Sequence, residues 1–204
     1  MWRSAFTWIA LLAASALVVV LGVQNRGLRE DRDRLTDRAA YAYPGMYVPV
    51  VDAPRIDGGR LALGAPAGDM QVVFFFNETC TYCLRSAPTV VDVAGKLQRE
   101  FGERVAMVGV CQCTPDKARD YARSHGFAFP VVTVNAQRAL ALYRARGVPM
   151  VLAVDRKGRV RHAIQGVFDT QGQVDGLLAE LRRPEAGAQS SSKLASLTAG
   201  RSGT

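Results

Sequence analysis

One stretch restricts this chain more than any other. Residues 72–88 read Val-Val-Phe-Phe-Phe-Asn-Glu-Thr-Cys-Thr-Tyr-Cys-Leu-Arg-Ser-Ala-Pro. The run Val72 to Phe76 is apolar without alternation, as expected of a strand buried on both faces. Polar residues end it, and a helical pattern opens at Cys80-Thr81-Tyr82-Cys83. A cysteine at a helix N-terminus meets free backbone N–H groups and the positive end of the macrodipole, and both favour its thiolate. The second cysteine falls about one turn on, within reach of the first. One thiolate can then attack a substrate disulfide, and the other can resolve the mixed disulfide. A structural C-x-x-C, half of a zinc site, is the competing reading. It wants a second pair of Cys or His at comparable spacing. Cys111-Gln112-Cys113 is too tight for an ordinary knuckle, and His125 and His162 propose no ligand set. Redox chemistry is therefore the preferred reading, with no metal site.

The length of 204 residues suits one domain with appendages, and 49% hydrophobic content supports a core. The net charge of +8 suits an anionic membrane surface or acidic partners. The arginines are spread along the chain rather than gathered into a stripe with aromatics, which argues against nucleic acid. Four cysteines are too few for a disulfide scaffold in a chain this long.

Ser4 to Asn25 carries no charged side chain, and Ala5 to Val23 is almost wholly apolar, long enough to cross a bilayer. Trp2 and Trp8 fit an interfacial anchor. No good cleavage site follows Val23, so an uncleaved anchor (residues 1–25) is preferred to a signal peptide. Arg26, Arg29, Arg32, Arg34 and Arg38 follow the span and only Arg3 precedes it. Counted alone, they put the C-terminal side in the cytoplasm. We set that count aside, because an exported domain can translocate despite nearby charge and a tethered C-x-x-C domain makes most chemical sense outside the cytoplasm. Residues 26–46 read as a charged spacer, with Leu21, Leu28 and Leu35 as a short heptad pattern and Pro44-Gly45 as its end.

From there the pattern predicts a short strand pair, Val48 to Ile56 and Arg60 to Leu63, around Asp57-Gly58-Gly59. The strand Gln71 to Phe76 follows, then a helix with Pro88 inside it and Gly102 at its end. A second buried strand, Arg104 to Val110, finishes at Cys111. Helix Pro115 to His125, strand Phe129 to Val134, helix Ala136 to Arg146, strand Met150 to Asp155 and a hairpin return over Val160 to Ile164 come next. Val174, Leu177, Leu178 and Leu181 mark a last helix. The fold class is α/β, a mixed sheet flanked by helices. Residues 184–204, rich in Ser, Ala and Gly, read as a disordered tail.

By these features residues 47–183 resemble the thioredoxin fold, and more closely its membrane-tethered TlpA/ResA-like thiol–disulfide oxidoreductases. The resemblance rests on C-T-Y-C after a buried strand, on Pro88 eight residues past Cys80, on Gly147-Val148-Pro149 before a strand, and on the hairpin Val154 to Val160. It implies a cis Val148–Pro149 bond lying against the C-x-x-C, with the Val148 backbone free to pair with an extended client. It also implies Cys80 as nucleophile, Cys83 as resolving thiol, and no cofactor beyond the Cys80–Cys83 disulfide. The implied setting is a bacterial inner membrane, single-pass, with the domain facing the periplasm or cell exterior. The partners would be protein disulfide clients and a membrane redox protein that resets the couple, with reduction the commoner role.

The chain also departs from the family. Thr79 stands where the family often has Trp. Phe74 occupies the strand position where thioredoxin buries an acid, so the nearest acid is Glu78, read as a solvated loop residue. Phe-Asn-Glu-Thr-Cys-x-x-Cys is similar to the methylamine-dehydrogenase accessory branch, thought to help form disulfides in an exported enzyme. Cys111 and Cys113 are the unusual feature. They could relay electrons or bind copper(I) with the first pair, but one buried and one incidental thiol is the simpler reading. Residues two apart in a strand have Cα atoms ~7 Å apart, which would strain a disulfide between them. His125 and His162 read as surface residues. Rival functions are a copper(I) carrier, a peroxidase of the related peroxiredoxin branch, or a non-catalytic tethered module. The peroxidase needs T-x-x-C, and here Thr79 adjoins Cys80 directly.

Overall fold

The structure is a computed structural model, and it describes residues 2–134 and 137–183. The expected tail, 184–204, lies outside the described residues. Contacts divide the chain into two units, one up to Tyr41 and one from Ala42. The first contains one continuous helix, α1 (Trp2–Ala40). Nine of the side chains in the expected span Ala5 to Val23 lie outside the described set. Among the described residues, no helix is long and apolar enough to cross a membrane.

The second unit is built on a five-stranded sheet in the order β5-β4-β3-β6-β7. Its strands are β3 (Met70–Phe76), β4 (Val105–Cys111), β5 (Val131–Thr133), β6 (Met150–Asp155) and β7 (Val160–Gln165). β3 runs parallel to β4 and antiparallel to β6, and Phe76 is in register with Cys111. A two-stranded hairpin, β1 (Val51–Pro54) with β2 (Arg60–Leu63), lies outside the sheet.

The central strand shows why its sequence lacks alternation. Val72, Phe74 and Phe76 enter one core with Val90, Val93 and Leu97 of α2 (Thr81–Phe101), Tyr121 of α3 (Pro115–Ser124) and Leu177 of α5 (Gln171–Arg182). Val73 and Phe75 enter the other, with Val132, Leu152, Leu63 of the hairpin and Tyr143. Both faces are covered, so every residue of β3 is buried. Phe74, standing where an acid was absent, is a core ring stacked on Phe76 at 5.4 Å between centroids.

Three expected elements come out shorter. The first hairpin strand begins at Val51, because Val48 donates its N–H to the Gly158 carbonyl of the β6–β7 turn (2.8 Å) instead. β5 covers only Val131–Thr133, since Pro130 has no N–H to give a ladder. α4 is Gln137–Leu142 rather than a helix to Arg146, with Arg144 in the left-handed region at φ 52°. Its expected first residue, Ala136, lies outside the described residues.

Candidate active site

Parallel strands deliver their carboxyl ends to one edge of the sheet, where functional groups collect. Here β3 delivers Asn77 to Cys80, and β4 beside it delivers Cys111 to Cys113. The two loops are tied together at the backbone. Gln112 donates its N–H to the Phe76 carbonyl (2.9 Å), and Asn77 Nδ2 donates to the Gln112 carbonyl (2.7 Å). Asn77 Oδ1 also accepts from the Thr79 N–H (3.0 Å) and hydroxyl (2.7 Å), fixing the approach to Cys80.

Cys80 is the N-cap of α2. Its backbone is extended (φ −80°, ψ 108°), and its Sγ accepts the Cys83 N–H at 3.3 Å. The orphan donor of the first turn thus points where negative charge forms when the thiol ionises. Cys80 is partly exposed; Cys83 is fully buried against β3. Burial holds the Cys83 thiol well above its ordinary range, and the hydrogen bond with Cys80 adds to the effect. The two cysteines are free thiols. One is presented to solvent and the other is kept protonated behind it.

The Val148–Pro149 bond is cis. Cys80 Sγ donates to the Val148 carbonyl at 3.5 Å, so this loop lies against the first cysteine. The side chains of Tyr82 and Leu84 stay exposed on the same end of α2, giving it an apolar surface. Ser86, buried one turn further, donates to the Tyr82 carbonyl (3.0 Å) and accepts from the Phe168 N–H (2.9 Å). That bond fastens the helix start to the loop ahead of α5.

Three expectations need correction. Glu78 is no solvated loop acid. Its side chain is 19% exposed, Oε1 accepts from Lys117 Nζ of α3 at 2.7 Å, and Oε2 is buried with no hydrogen-bond partner among the described residues. Lys117 holds its carboxyl below the usual range. Cys111 and Cys113 are both buried and joined as a disulfide. The chain contracts after β4, bringing their Cα atoms to 5.2 Å rather than the spacing of an extended strand. Glu78, Cys111 and Cys113 place ligand-type atoms within 4.8 Å of one another. With the S–S bond closed, the sulfurs are not thiolate ligands. The histidines are not plain surface residues either. His125 is half-buried and stacks on Tyr121 at 4.1 Å, and His162 is half-buried, its imidazole pushed down by desolvation.

Sequence reasoning missed Tyr121 altogether. Its ring lies on Phe76 (4.8 Å between centroids), and its buried hydroxyl has no hydrogen-bond partner among the described residues. Burial first, and then the electrostatic influence of the neighbouring Cys83 and Cys80, push its hydroxyl up. Lys117 was missed too. They sit four residues apart on α3, Tyr121 on the buried side with Ala118 and Ala122 and Lys117 at its edge, a pattern that sequence alone reads as core and rim.

This fold and its edge are thioredoxin-like: a mixed sheet, a helix opened by C-x-x-C, and a cis-proline loop across from it. Residues 44–163, over half of the chain, match the AhpC/TSA family, and the protein belongs to it. No curated protein sequence matches the chain. Among solved structures it is similar to peroxidoxin BcpB from Mycobacterium tuberculosis (TM-score 0.59, 20% identity, 70% of this chain and 97% of that one). It is also similar to the thioredoxin domain of a thiol-disulfide oxidoreductase from Bacteroides vulgatus (TM-score 0.57, 16% identity, 67% and 98%). A third is a secreted M. tuberculosis disulfide oxidoreductase homologous to E. coli DsbE (TM-score 0.52, 17% identity, 64% and 92%). At these identities the likeness is one of fold.

Proposed function

We propose that this protein is a thiol–disulfide oxidoreductase of exported protein clients, acting through Cys80 and Cys83 as a reductant in the manner of the TlpA/ResA-like branch. The observation that carries the reading is the Cys80 sulfur, which caps α2 and lies 3.5 Å from the carbonyl of Val148 in a cis-proline loop. An extended client strand laid along Val148 and Pro149 would bring its own disulfide to that sulfur. Cys80 attacks, one client sulfur leaves as a thiolate, and a mixed disulfide forms. Cys83 then attacks Cys80 Sγ, releasing the reduced client and closing Cys80–Cys83. The burial that keeps Cys83 protonated favours this order, since only Cys80 is free to begin. No cofactor is needed beyond the disulfide itself. A membrane redox partner would re-reduce it.

The apolar run Ala5 to Val23 supports an inner-membrane anchor, and the chemistry of a tethered C-x-x-C couple favours a domain facing the periplasm or cell exterior. Release of the full chain from membranes by alkaline carbonate would count against that anchor.

The deciding measurement is the reduction potential of Cys80–Cys83 together with insulin-disulfide turnover. A potential near ~−270 mV supports the reductant, and one near ~−120 mV makes the protein an oxidant instead. Absence of any reversible couple sinks the reading. Rapid consumption of hydrogen peroxide without a disulfide client would favour the peroxidase alternative.

A further inference from the structure

We propose that Cys111 and Cys113 form a second redox couple, a two-electron store whose reduced state is held by Glu78. The couple is separate from the exchange proposed for Cys80 and Cys83. Three observations carry it. Glu78 Oε2 is buried, has no hydrogen-bond partner among the described residues, and belongs to a carboxylate that lies within 4.8 Å of both sulfurs. A buried acceptor left unpaired is costly. A disulfide cannot relieve it, because neither sulfur carries hydrogen. A thiol can, since reduction gives each sulfur an S–H and one of them can donate to Oε2. Reduction therefore completes a hydrogen bond that the oxidised site lacks.

Lys117 sharpens the arrangement. It occupies Oε1 at 2.7 Å, so the carboxylate is anchored on one side and Oε2 is the oxygen left without a donor. A structural staple is the other use for a buried disulfide. A crosslink restricts the unfolded chain less as its loop shortens, and this one spans a sequence separation of only 2. It is therefore poorly suited to stabilise the fold.

The chemistry balances with a dithiol as reductant. Cys113 is 7% exposed and Cys111 0%, so the thiolate attacks Cys113. The Cys111–Cys113 bond breaks, and Cys111 leaves as a thiolate and takes a proton. The second thiol of the reductant attacks the mixed disulfide, closes its own S–S bond, and frees Cys113, which is protonated in turn. Two electrons and two protons pass from the dithiol to the pair.

The test is an equilibrium of the folded full chain carrying Cys80→Ser and Cys83→Ser against defined ratios of reduced and oxidised dithiothreitol. Alkylation and peptide mass then read the state of Cys111 and Cys113, and the far-UV spectrum confirms that the fold is kept. The expected result is reversible interconversion in the native protein. Glu78→Gln should turn an amide NH₂ toward the sulfurs in place of the acceptor. The dithiol-to-disulfide ratio should then shift about tenfold toward disulfide, which is ~30 mV for two electrons. A pair that stays oxidised until the protein unfolds, or a midpoint that ignores Glu78→Gln, would overturn the proposal. Should the double serine variant fail to fold, the same peptides are resolved in the unmodified chain and in Glu78→Gln alone. Because the readout is the Cys111–Cys113 peptide, failure here leaves the Cys80–Cys83 reading untouched, and the reverse also holds.

Discussion

Cys80 and Cys83 follow β3, and Cys111 and Cys113 follow β4, the neighbouring parallel strand. Both pairs share one core with Phe76 and Tyr121, yet their surroundings differ. The first is split by a helix turn, so one sulfur is presented at the N-terminus beside the Val148 carbonyl and the other is sealed beneath. The second is closed within a contracted strand end, sealed as a unit, with the Glu78 carboxylate within 4.8 Å of its sulfurs. Position along the sheet edge does not by itself make a client site. An exposed sulfur, a donor that favours its charge and a backbone for the client do, and only the first pair has all three.

Removing the exposed sulfur should break this asymmetry most completely. Cys80→Ser is expected to drop disulfide turnover of insulin to background, because the hydroxyl is no nucleophile at neutral pH. Cys83→Ser should instead accumulate a mixed disulfide, visible as an added mass on Cys80. Replacing both Cys111 and Cys113 by alanine should leave turnover within about threefold, since neither touches the client path. A loss as deep as that of Cys80→Ser would show that the two pairs act as one centre.

Phe76 shares one core with both pairs, in register with Cys111 and with its ring 4.8 Å from the Tyr121 ring. Phe76→Ala should cost about 3–5 kcal/mol of stability, as a large aromatic lost from a closed core. Urea unfolding would measure it. The comparison predicts that the domain loses the protection of Cys83 along with stability, so that Cys83 becomes alkylated in the native protein. The expected destabilisation with Cys83 still protected in the native protein would place its seal elsewhere, in Val90 and the body of α2.

Much of this was legible, and the reasons are local. The run Val72 to Phe76, the C-x-x-C and the turn glycines each impose a conformation on neighbouring residues, so strand, helix and hairpin could be read from them. The β3–β4 pairing placed Cys111 where a parallel strand would leave it. What escaped depended on contacts between distant segments. Glu78 read as solvated because nothing near it in sequence says that Lys117, on α3, would meet it. The Cys111–Cys113 bond read as strained because an extended strand was assumed, whereas the chain contracts to 5.2 Å at the end of β4. Tyr121 lay unremarked inside the expected helix Pro115 to His125, and only the folded sheet edge brings it into one core with the cysteines.

Asn77 joins the two loops and should matter less than Phe76. Asn77→Ala removes the donor to the Gln112 carbonyl and the acceptor used twice by Thr79. A cost of about 1–3 kcal/mol is expected, the usual range for a partly buried group losing its partners. Its sharper consequence is positional. Cys80 should lose rate against a protein disulfide while its reaction with a small alkylating agent changes little, because a small reagent needs no alignment with Val148. Equal losses toward both reagents would mean that Asn77 acts on the thiol itself rather than on its placement.

His162 gives the smallest effect and separates pH acting on the fold from pH acting on the thiols. It lies on β7, two strands away from β3, and half-burial holds its imidazole below the ordinary 6.5 despite the opposing pull of Glu180. The unfolded chain therefore takes up this proton at a higher pH than the folded protein does. Stability from the neutral ring is complete above about 6.5 and declines as the pH falls below it, until the folded ring is protonated as well. Thermal unfolding of the wild type should weaken more between pH 7.5 and 5.5 than that of His162→Gln, whose side chain cannot titrate. The alkylation rate of Cys80 should respond to pH identically in both proteins. Parallel stability curves would remove His162 from the balance, and a changed thiol profile would mean that the two ends of the sheet are electrostatically linked.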